Sequence, residues 1–396
     1  MNINTTFSKV TLSEWNEEIT NSLMPNIIIL FIYLALGTCG NVFVLLVYAF
    51  QMKKPSEERY FIPILAFFDM IATIYLGVHY IFQCFYQTKF SNNILCKTLV
   101  FFVGNFNHYS VLILFIIAIQ RYRKVCMSLT PSMSTTMKRT ALFLVIGVAF
   151  LCALPIPFIY GTSPYHSTKY GISGMRCGRL KKGHALIKTL SSIGFGMFVF
   201  VIVTSLIIIY GKILRSVYRS LKVHKNDTSA SKKEMEKTDE DESHTDIGCK
   251  DKEMISTSSI TAKQSMIPET NSDFNGQRVV KSRPGSQNME SASTRQRRIH
   301  NRRITNKLTV MFFIITIVFL LCYIPKVTVL CLEGIYEDFW ENLSTSQRPV
   351  VTFLYHIFIF NNIVNPIIYA FMDKEFRDNA AILLKRMFNS CVISNM

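Results

Sequence analysis

The chain has 396 residues, of which 49% are hydrophobic and 17% charged, and its formal net charge at neutral pH is +17. Water-soluble domains usually contain about 25% charged residues, so this composition disfavours a soluble enzyme or binding domain. The positive charges stand at the ends of apolar blocks, which argues against a nucleic-acid-binding surface.

Seven apolar blocks follow one another along the chain, and each is long enough to cross a bilayer as a helix, which takes about 20 residues. A helix satisfies its own backbone hydrogen bonds, as the hydrocarbon region requires. We therefore predict an all-α fold, a seven-transmembrane helix bundle over residues 25–372. The blocks are Pro25–Phe50, Tyr60–Tyr86, Cys96–Val125, Arg139–Gly161, Leu186–Leu214, Ile304–Leu332 and Pro349–Met372.

Charge distinguishes the two sides of this predicted bundle. By the positive-inside rule, the side that collects basic residues is cytoplasmic. The N-terminal residues 1–24 are then extracellular, and we expect a multi-pass protein of the plasma membrane. The basic residues lie after the first, third and seventh blocks and before the sixth, and include Lys53, Lys54, Arg59, Arg123, Lys124, Arg302, Arg303, Lys374 and Arg377.

Two segments between or after the blocks have distinct compositions. Residues 215–299 are rich in polar residues, so we predict a long disordered third cytoplasmic loop whose basic flanks extend the fifth and sixth helices. Residues 373–396 begin with an amphipathic stretch, Asp373–Phe388, which predicts a short helix against the lipids of the inner leaflet. Cys391 follows this stretch and suits palmitoylation and a free thiol equally.

Two cysteines and two asparagines stand out on the predicted outer side. Cys96 begins the third block and Cys177 lies between the fourth and fifth, where an oxidising compartment favours a disulfide between them. Such a disulfide would hold the intervening outer loop over the bundle. Asn4 and Asn342 begin sequons that can be glycosylated on this side.

Polar residues inside a membrane are costly and commonly functional. One carboxylate with several neutral oxygens suits a small cation such as Na⁺ at Asp69, and it suits a network of water molecules equally well. No other cofactor is expected. The polar set consists of Asn41, Asp69, Ser110, Asn361 and Asn365.

Three further residues inside the blocks indicate a bundle that changes shape. Pro325 in the sixth block and Pro366 in the seventh each remove a backbone hydrogen bond and let the helix distort. Arg121 lies near the inner end of the third block. On chemistry alone its side chain could simply extend to the membrane interface.

These marks occur in a fixed order: Gly40-Asn41, Leu65-Ala66 with Asp69, Cys96 twenty-five residues before Arg121-Tyr122, Tyr210, Phe319 with Cys322 and Pro325, and Asn365-Pro366 with Tyr369. The pattern resembles the rhodopsin-like (class A) G-protein-coupled receptors over nearly the whole chain. The resemblance implies a receptor that passes ligand binding to a heterotrimeric G protein. It also implies a sodium site at Asp69 and a coupling switch made of Arg121, Tyr122, Tyr210, Pro366 and Tyr369.

The chain departs from the family pattern around Arg121. Gln120 replaces the acid that usually precedes the arginine, and Thr305 stands where some members carry a second acid. Arg121 therefore lacks both usual ionic partners, and we expect a weaker inactive-state lock and raised basal signalling. Tyr323 replaces the usual tryptophan of the sixth helix.

The resemblance places a ligand pocket at the outer end, lined by His79, Gln83, Val103, Asn107, Tyr323, Lys326 and Tyr355. Amine receptors of the family carry an aspartate where this chain has Val103, so an amine is not expected. No lysine in the seventh block could hold retinal. Lys326 would bind an acidic group of the ligand. Alternatively, it extends upward or pairs with Glu333.

The segments Gln120–Cys126 and Lys307–Pro325 are similar to those of invertebrate receptors related to the cholecystokinin and orexin types. We therefore predict a neuropeptide ligand, with a small anionic lipid or metabolite as the alternative. A membrane transporter is the alternative outside the receptors, but the inverted repeats typical of transporters are not seen. No catalytic constellation indicates an enzyme.

Overall fold

The computed structural model describes residues 10–52, 57–127, 133–181, 185–241 and 292–394. Seven spans within these residues are long and apolar enough to cross a membrane, which confirms the predicted all-α bundle. The elements are α1 (Leu12–Ser22), α2 (Met24–Phe50), a first 3₁₀ turn (Glu57–Arg59), α3 (Phe61–Phe85), α4 (Asn93–Cys126), α5 (Thr135–Ala153), α6 (Ile156–Ile159), β1 (Tyr160–His166), β2 (Ser173–Arg179), α7 (Ala185–Asp241), α8 (Ala292–Ile335), α9 (Gln347–His356), a second 3₁₀ turn (Ile357–Ile359), α10 (Phe360–Met372) and α11 (Lys374–Ser394).

The two largest clusters of apolar side chains among the described residues fill the bundle. One lies towards the end that carries α1 and the two strands, which we call the outer end, and includes Trp15, Leu30 and Tyr80. The other lies towards the opposite, inner end and includes Phe61 and Phe312. Many large apolar side chains on the outside of the spans are exposed, as a bilayer-facing surface requires.

The first helix, α1, was not predicted from the sequence. Thr11 and Glu14 form a capping box: the Thr11 hydroxyl accepts from the Glu14 amide, and the Glu14 carboxylate accepts from the Thr11 amide at 2.7 Å. This reciprocal pair satisfies amides that a helix start leaves unpaired. The buried side chains Trp15 and Ile19 then pack into the outer apolar cluster.

The loop between the fourth and fifth spans is an antiparallel hairpin of β1 and β2. Gly171 in its turn has a φ of 65°, a left-handed conformation that glycine adopts without a steric penalty. The predicted disulfide joins Cys96, near the start of α4, to Cys177 on β2. The hairpin is therefore fixed to the outer end of the bundle.

The seventh span is not one regular helix. A 3₁₀ turn, Ile357–Ile359, separates α9 from α10, and Pro366 lies inside α10. Proline has no amide to pair with the carbonyl four residues earlier, which is that of Asn362. The Asn41 side-chain amide donates to this carbonyl at 2.8 Å. A side chain of α2 thus compensates for the hydrogen bond that Pro366 removes.

By contacts the chain divides into two units, the bundle (residues up to Tyr218 and from His300 onward) and Arg219–Ile299. In the second unit the described backbone is helical through Asp241 and again from Ala292. Residues 242–291, on which the rest of the disorder prediction falls, lie outside the described residues. The helix predicted after the seventh span is α11.

Candidate functional site

A cavity of about 50 Å³ lies at the outer end of the bundle. Four of the predicted pocket residues line it, namely His79, Gln83, Val103 and Tyr355. Two charged residues also line it, Arg176 of β2 and Glu333 of α8. The cavity therefore combines aromatic walls with one positive and one negative side chain.

Both charges at the cavity are held by aromatic side chains. The guanidinium carbon of Arg176 lies 5.1 Å from a ring centroid of Trp340 and 5.3 Å from that of Tyr165. Burial lowers the pKa of Arg176, while Tyr165 and Glu333 act in the opposite direction. The Trp340 indole donates to Glu333 Oε1 at 3.1 Å.

The other three predicted pocket residues, Asn107, Tyr323 and Lys326, form a hydrogen-bonded group. Asn107 Oδ1 accepts from the Tyr323 hydroxyl and from Lys326 Nζ, each at 3.1 Å. The same ammonium lies 3.2 Å from the ring centroid of Phe358 and 5.7 Å from that of Tyr355, which lines the cavity.

Lys326 has no acidic partner in this arrangement. Its side chain is 5% exposed, and none of the ion pairs among the described residues includes it. The alternative pairing with Glu333 is therefore not formed in the described part of the chain. A buried ammonium that meets only an amide oxygen and an aromatic face can still bind an anion.

α1 and the hairpin together cover the outer end. The Trp15 ring stacks on Tyr165 of β1 at a centroid distance of 5.2 Å. Glu18 accepts from Lys169 at 2.8 Å and from the Tyr170 hydroxyl at 2.6 Å. We call α1 with these hairpin contacts the outer cover. Composition alone did not predict it, although the Thr11-x-x-Glu14 pattern was a usable signal.

A polar network crosses the middle of the bundle between the two apolar clusters. Asn365 donates to Asp69 Oδ2 at 2.7 Å. Ser110 donates to the carbonyl of Phe106, a residue of its own helix, at 3.2 Å. Four side-chain oxygens in the network are buried without a hydrogen-bond partner among the described residues, and these are Oδ1 of Asn41, Asp69, Asn361 and Asn365.

Four of the five predicted switch residues, all except Pro366, lie at the inner end. Arg121 is buried, and its guanidinium lies 4.6 Å from the ring centroid of Phe312 in α8. The Tyr210 hydroxyl accepts from Thr316 at 2.9 Å. Tyr369 is fully buried beside Phe376 of α11. The ring of Tyr122 lies 5.8 Å from Lys212 Nζ of α7.

Sequence reasoning missed the acidic side chain at this end. Glu58, in the 3₁₀ turn before α3, has its carboxylate 3.8 Å from Arg121 and 2.8 Å from the Thr305 hydroxyl. Arg121 thus lacks both of the usual acids, as the sequence shows, but in the folded chain a third acid, Glu58, pairs with it. Nothing in the local pattern marks Glu58, because the contact joins residues far apart in sequence.

Two modification predictions are only partly covered by the structure. Asn342 is exposed in the loop between α8 and α9. Asn4 and the side chain of Cys391 lie outside the described residues.

Among the described residues, no group of three or more His, Cys, Asp or Glu side chains could hold a metal ion.

The chain is similar to known receptors. The family model "7 transmembrane receptor (rhodopsin family)" matches residues 40–369. The neuromedin U receptor homolog nmur-2 of Caenorhabditis elegans is 29% identical over 143 residues, 35% of each chain. Galanin receptor 2b of Danio rerio is 34% identical over 96 residues, 24% of this chain and 23% of that protein. Both curated matches thus span well under half of the relative's length.

The fold has a counterpart among solved structures. The crystal structure of squid rhodopsin matches with a TM-score of 0.60 and 17% sequence identity. The match covers 97% of this chain and 89% of squid rhodopsin. At this identity the likeness concerns the fold alone.

The outer cover should loosen in acid through Glu18. Hydrogen bonds from Lys169 and Tyr170 lower the pKa of Glu18 below its ordinary value of 4.5. The stabilisation by the Glu18 contacts is therefore fully present above pH 4.5, the ordinary pKa, and is lost as the pH falls through the lowered pKa of the folded chain. We expect hydrogen–deuterium exchange in Leu12–Ser22, corrected for intrinsic rates, to rise between pH 7 and pH 3.5.

Glu18→Gln should exchange faster already at pH 7 and show a smaller change with acid. Glu17→Gln is the matched control, because Glu17 is the exposed neighbour on the same helix, and it should behave like the unchanged chain. An equal acid response in Glu18→Gln and the unchanged chain would contradict the role given to Glu18.

Proposed function

We propose that this chain, which belongs to the rhodopsin family of seven-transmembrane receptors, passes the binding of an extracellular neuropeptide to a heterotrimeric G protein. The family match over residues 40–369 is the observation that carries the proposal. The inner end adds support, because a closed arrangement around the buried Arg121 is one that a G protein would have to open.

A peptide suits the outer end better than a small molecule does. Ligand pockets for small molecules commonly measure about 300–1,000 Å³, whereas this cavity measures about 50 Å³ beneath the outer cover. A peptide can gain contacts with α1 and the hairpin as it displaces them. Both curated relatives are named as receptors for peptides, neuromedin U and galanin.

We propose that the ligand presents an acidic group to Lys326. The buried ammonium has an amide oxygen and an aromatic face as neighbours, and a carboxylate would stabilise its charge. The small anionic lipid or metabolite remains the second candidate, because it would satisfy the same ammonium.

The outer end is extracellular in this proposal, and the chain resides in the plasma membrane. The Cys96–Cys177 disulfide supports this orientation, because disulfides persist in oxidising compartments. Asn342 at the same end is then open to glycosylation, as is Asn4. At the inner end, α11 lies against membrane lipids, with Cys391 a candidate for palmitoylation.

The receptor function is tested by nucleotide exchange on a promiscuous Gα in membranes that contain this chain. The probes are neuromedin U, galanin, a synthetic peptide library and a set of anionic lipids. We expect at least one peptide to accelerate exchange, and only where this chain is present. A response to anionic lipids alone would favour the second candidate. Silence to every probe, with correct surface expression, would contradict the proposal.

Lys326→Met should weaken the response to the active peptide by about 100-fold or more, because a ligand carboxylate would then be buried without its counter-charge. The measurement is peptide potency in the exchange assay at matched surface expression. The same peptide with its acidic group amidated should be weak on the unchanged chain and lose little more on Lys326→Met. Equal potency of the unmodified, acidic peptide on the unchanged chain and on Lys326→Met would contradict the role of Lys326.

We further propose that the network around Asp69 binds Na⁺. The donor set fits the ion, since Na⁺ is held by oxygens and four buried oxygens there lack partners among the described residues. Asp69 would supply the negative charge, and Asn361 and Asn365 neutral oxygens. The alternative, a network of water molecules alone, predicts no dependence on the cation.

The purified chain should therefore melt at a higher temperature in sodium chloride than in choline chloride at equal ionic strength. Bound sodium stabilises the folded state by mass action. Asp69→Asn should remove the difference between the two salts, whereas Thr73→Val, which changes a neighbouring hydroxyl bonded to the Asp69 carbonyl, should keep it. Equal melting in both salts for the unchanged chain would exclude a sodium site.

A further inference from the structure

The guanidinium of Arg121 is 1% exposed at the inner end of α4. A buried charge is strongly destabilising unless an opposite charge or several hydrogen bonds compensate for it. The adjacent residue, Gln120, cannot supply that charge. Its side chain instead donates to the carbonyl of Glu57 at 3.2 Å.

The compensating charge comes from Glu58. Its carboxylate lies 3.8 Å from the Arg121 guanidinium and 3.6 Å from the Lys124 ammonium, one turn further along α4. Arg121 also donates to the main-chain carbonyl of Glu58. Both the backbone and the side chain of Glu58 therefore contact the inner end of α4.

The same carboxylate also holds α8. Thr305 of α8 donates its hydroxyl to Glu58 Oε1 at 2.8 Å. An acid at position 305 would lie close to the Glu58 carboxylate and repel it. Because the acid is Glu58, on the turn before α3, the residue that faces it from α8 must be a hydrogen-bond donor. The threonine hydroxyl is such a donor. Glu58 thus joins α4 and α8 at the end where a G protein would enter.

The 3₁₀ turn that carries Glu58 is itself anchored. Arg59 pairs with Asp373 through two bonds, Nε to Oδ2 at 2.8 Å and Nη2 to Oδ1 at 2.9 Å. It also pairs with Glu375 at 2.6 Å. Asp373 Oδ1 accepts from the amide of Glu375 at the start of α11. Glu58 is therefore held between α11 on one side and α4 and α8 on the other.

We propose that Glu58 is the counter-ion that holds Arg121 and the inner end of α8 in the closed arrangement. It takes the place of the two acids that Gln120 and Thr305 replace. The raised basal signalling expected from those replacements is then not a property of the unchanged chain. The inference rests on the proposed coupling to a G protein, because the closed arrangement is what limits signalling without ligand.

The test uses ligand-free nucleotide exchange on a promiscuous Gα, in membranes with matched surface expression. Glu58→Gln should raise basal exchange about fivefold or more, the lower range of typical coupling between two sites. Thr305→Val should raise basal exchange by less, because Glu58 keeps its contact with Arg121 in this variant. Glu57→Gln is the control; its side chain is exposed and it retains the carbonyl that Gln120 uses.

Gln120→Glu, alone and combined with Glu58→Gln, completes a double-mutant cycle. In the unchanged chain it should alter basal exchange by less than about twofold, because Arg121 already has a counter-ion. Combined with Glu58→Gln, it should return basal exchange towards the original value by supplying a new acid beside Arg121. Equal effects of Gln120→Glu in both backgrounds would overturn the proposal.

A second readout needs no G protein. Hydrogen–deuterium exchange of the purified chain at the inner ends of α4 and α8 should rise in Glu58→Gln and Thr305→Val, and not in Glu57→Gln. Faster exchange without any change in nucleotide turnover would support the contact and refute the coupling. Unchanged hydrogen exchange in both variants would overturn the role of Glu58, whatever the nucleotide assay gives. Should Glu58→Gln fail to reach the surface, Thr305→Val decides the outcome.

Discussion

A buried guanidinium that must keep a negative partner determines the inner end of this receptor. Arg121 cannot be neutralised by losing its proton, because an arginine side chain stays charged in proteins. The partner must come from the fold, and it comes from Glu58, on a turn remote in sequence. Contacts of that one carboxylate join α4 and α8, and Arg59 links the same turn to α11.

The same requirement, that buried polar groups need partners, shapes the rest of the bundle. Pro366 leaves a carbonyl without an amide, and Asn41 donates to it. Asp69 accepts a hydrogen bond from Asn365 through one oxygen, and its other oxygen has no partner within the described part of the chain. Lys326 meets an amide oxygen and an aromatic ring but no acid among the described residues. Groups with a complete set of partners stiffen the fold, and those with spare capacity are where ions and ligands can bind.

What the sequence could predict depended on whether the cause was local. The apolar blocks gave the seven spans because membrane insertion depends on composition over a single segment, and Cys96 and Cys177 gave the disulfide because both lie on one side. The polar composition of the N-terminal segment does not indicate a buried helix, so α1 was not predicted, although Thr11 and Glu14 carry a capping signal. The hairpin of β1 and β2 has no clear alternation to mark it.

The tertiary contacts could not be predicted in this way. Gln120 and Thr305 showed that two acids were absent, but only the fold brings Glu58 to the place that those acids would occupy. Likewise, the proline motif predicted a distortion of the seventh helix at Pro366. The change from α-helix to 3₁₀ helix lies earlier in the chain, at Ile357–Ile359. In both cases the observed structure depends on contacts with other helices, which the local sequence pattern does not specify.

If Glu58 keeps the inner end closed, the distance between α5 and α8 at that end tests its role most directly. Spin labels at the exposed positions Thr136 and Lys307 report this distance by electron–electron double resonance. The background lacks the exposed Cys39 and Cys331 as well as Cys249 and Cys391, which lie outside the residues whose side chains are described. In the ligand-free chain we expect a single short distance population, and in Glu58→Gln a second, longer one. Identical distance distributions in the two proteins would contradict the account.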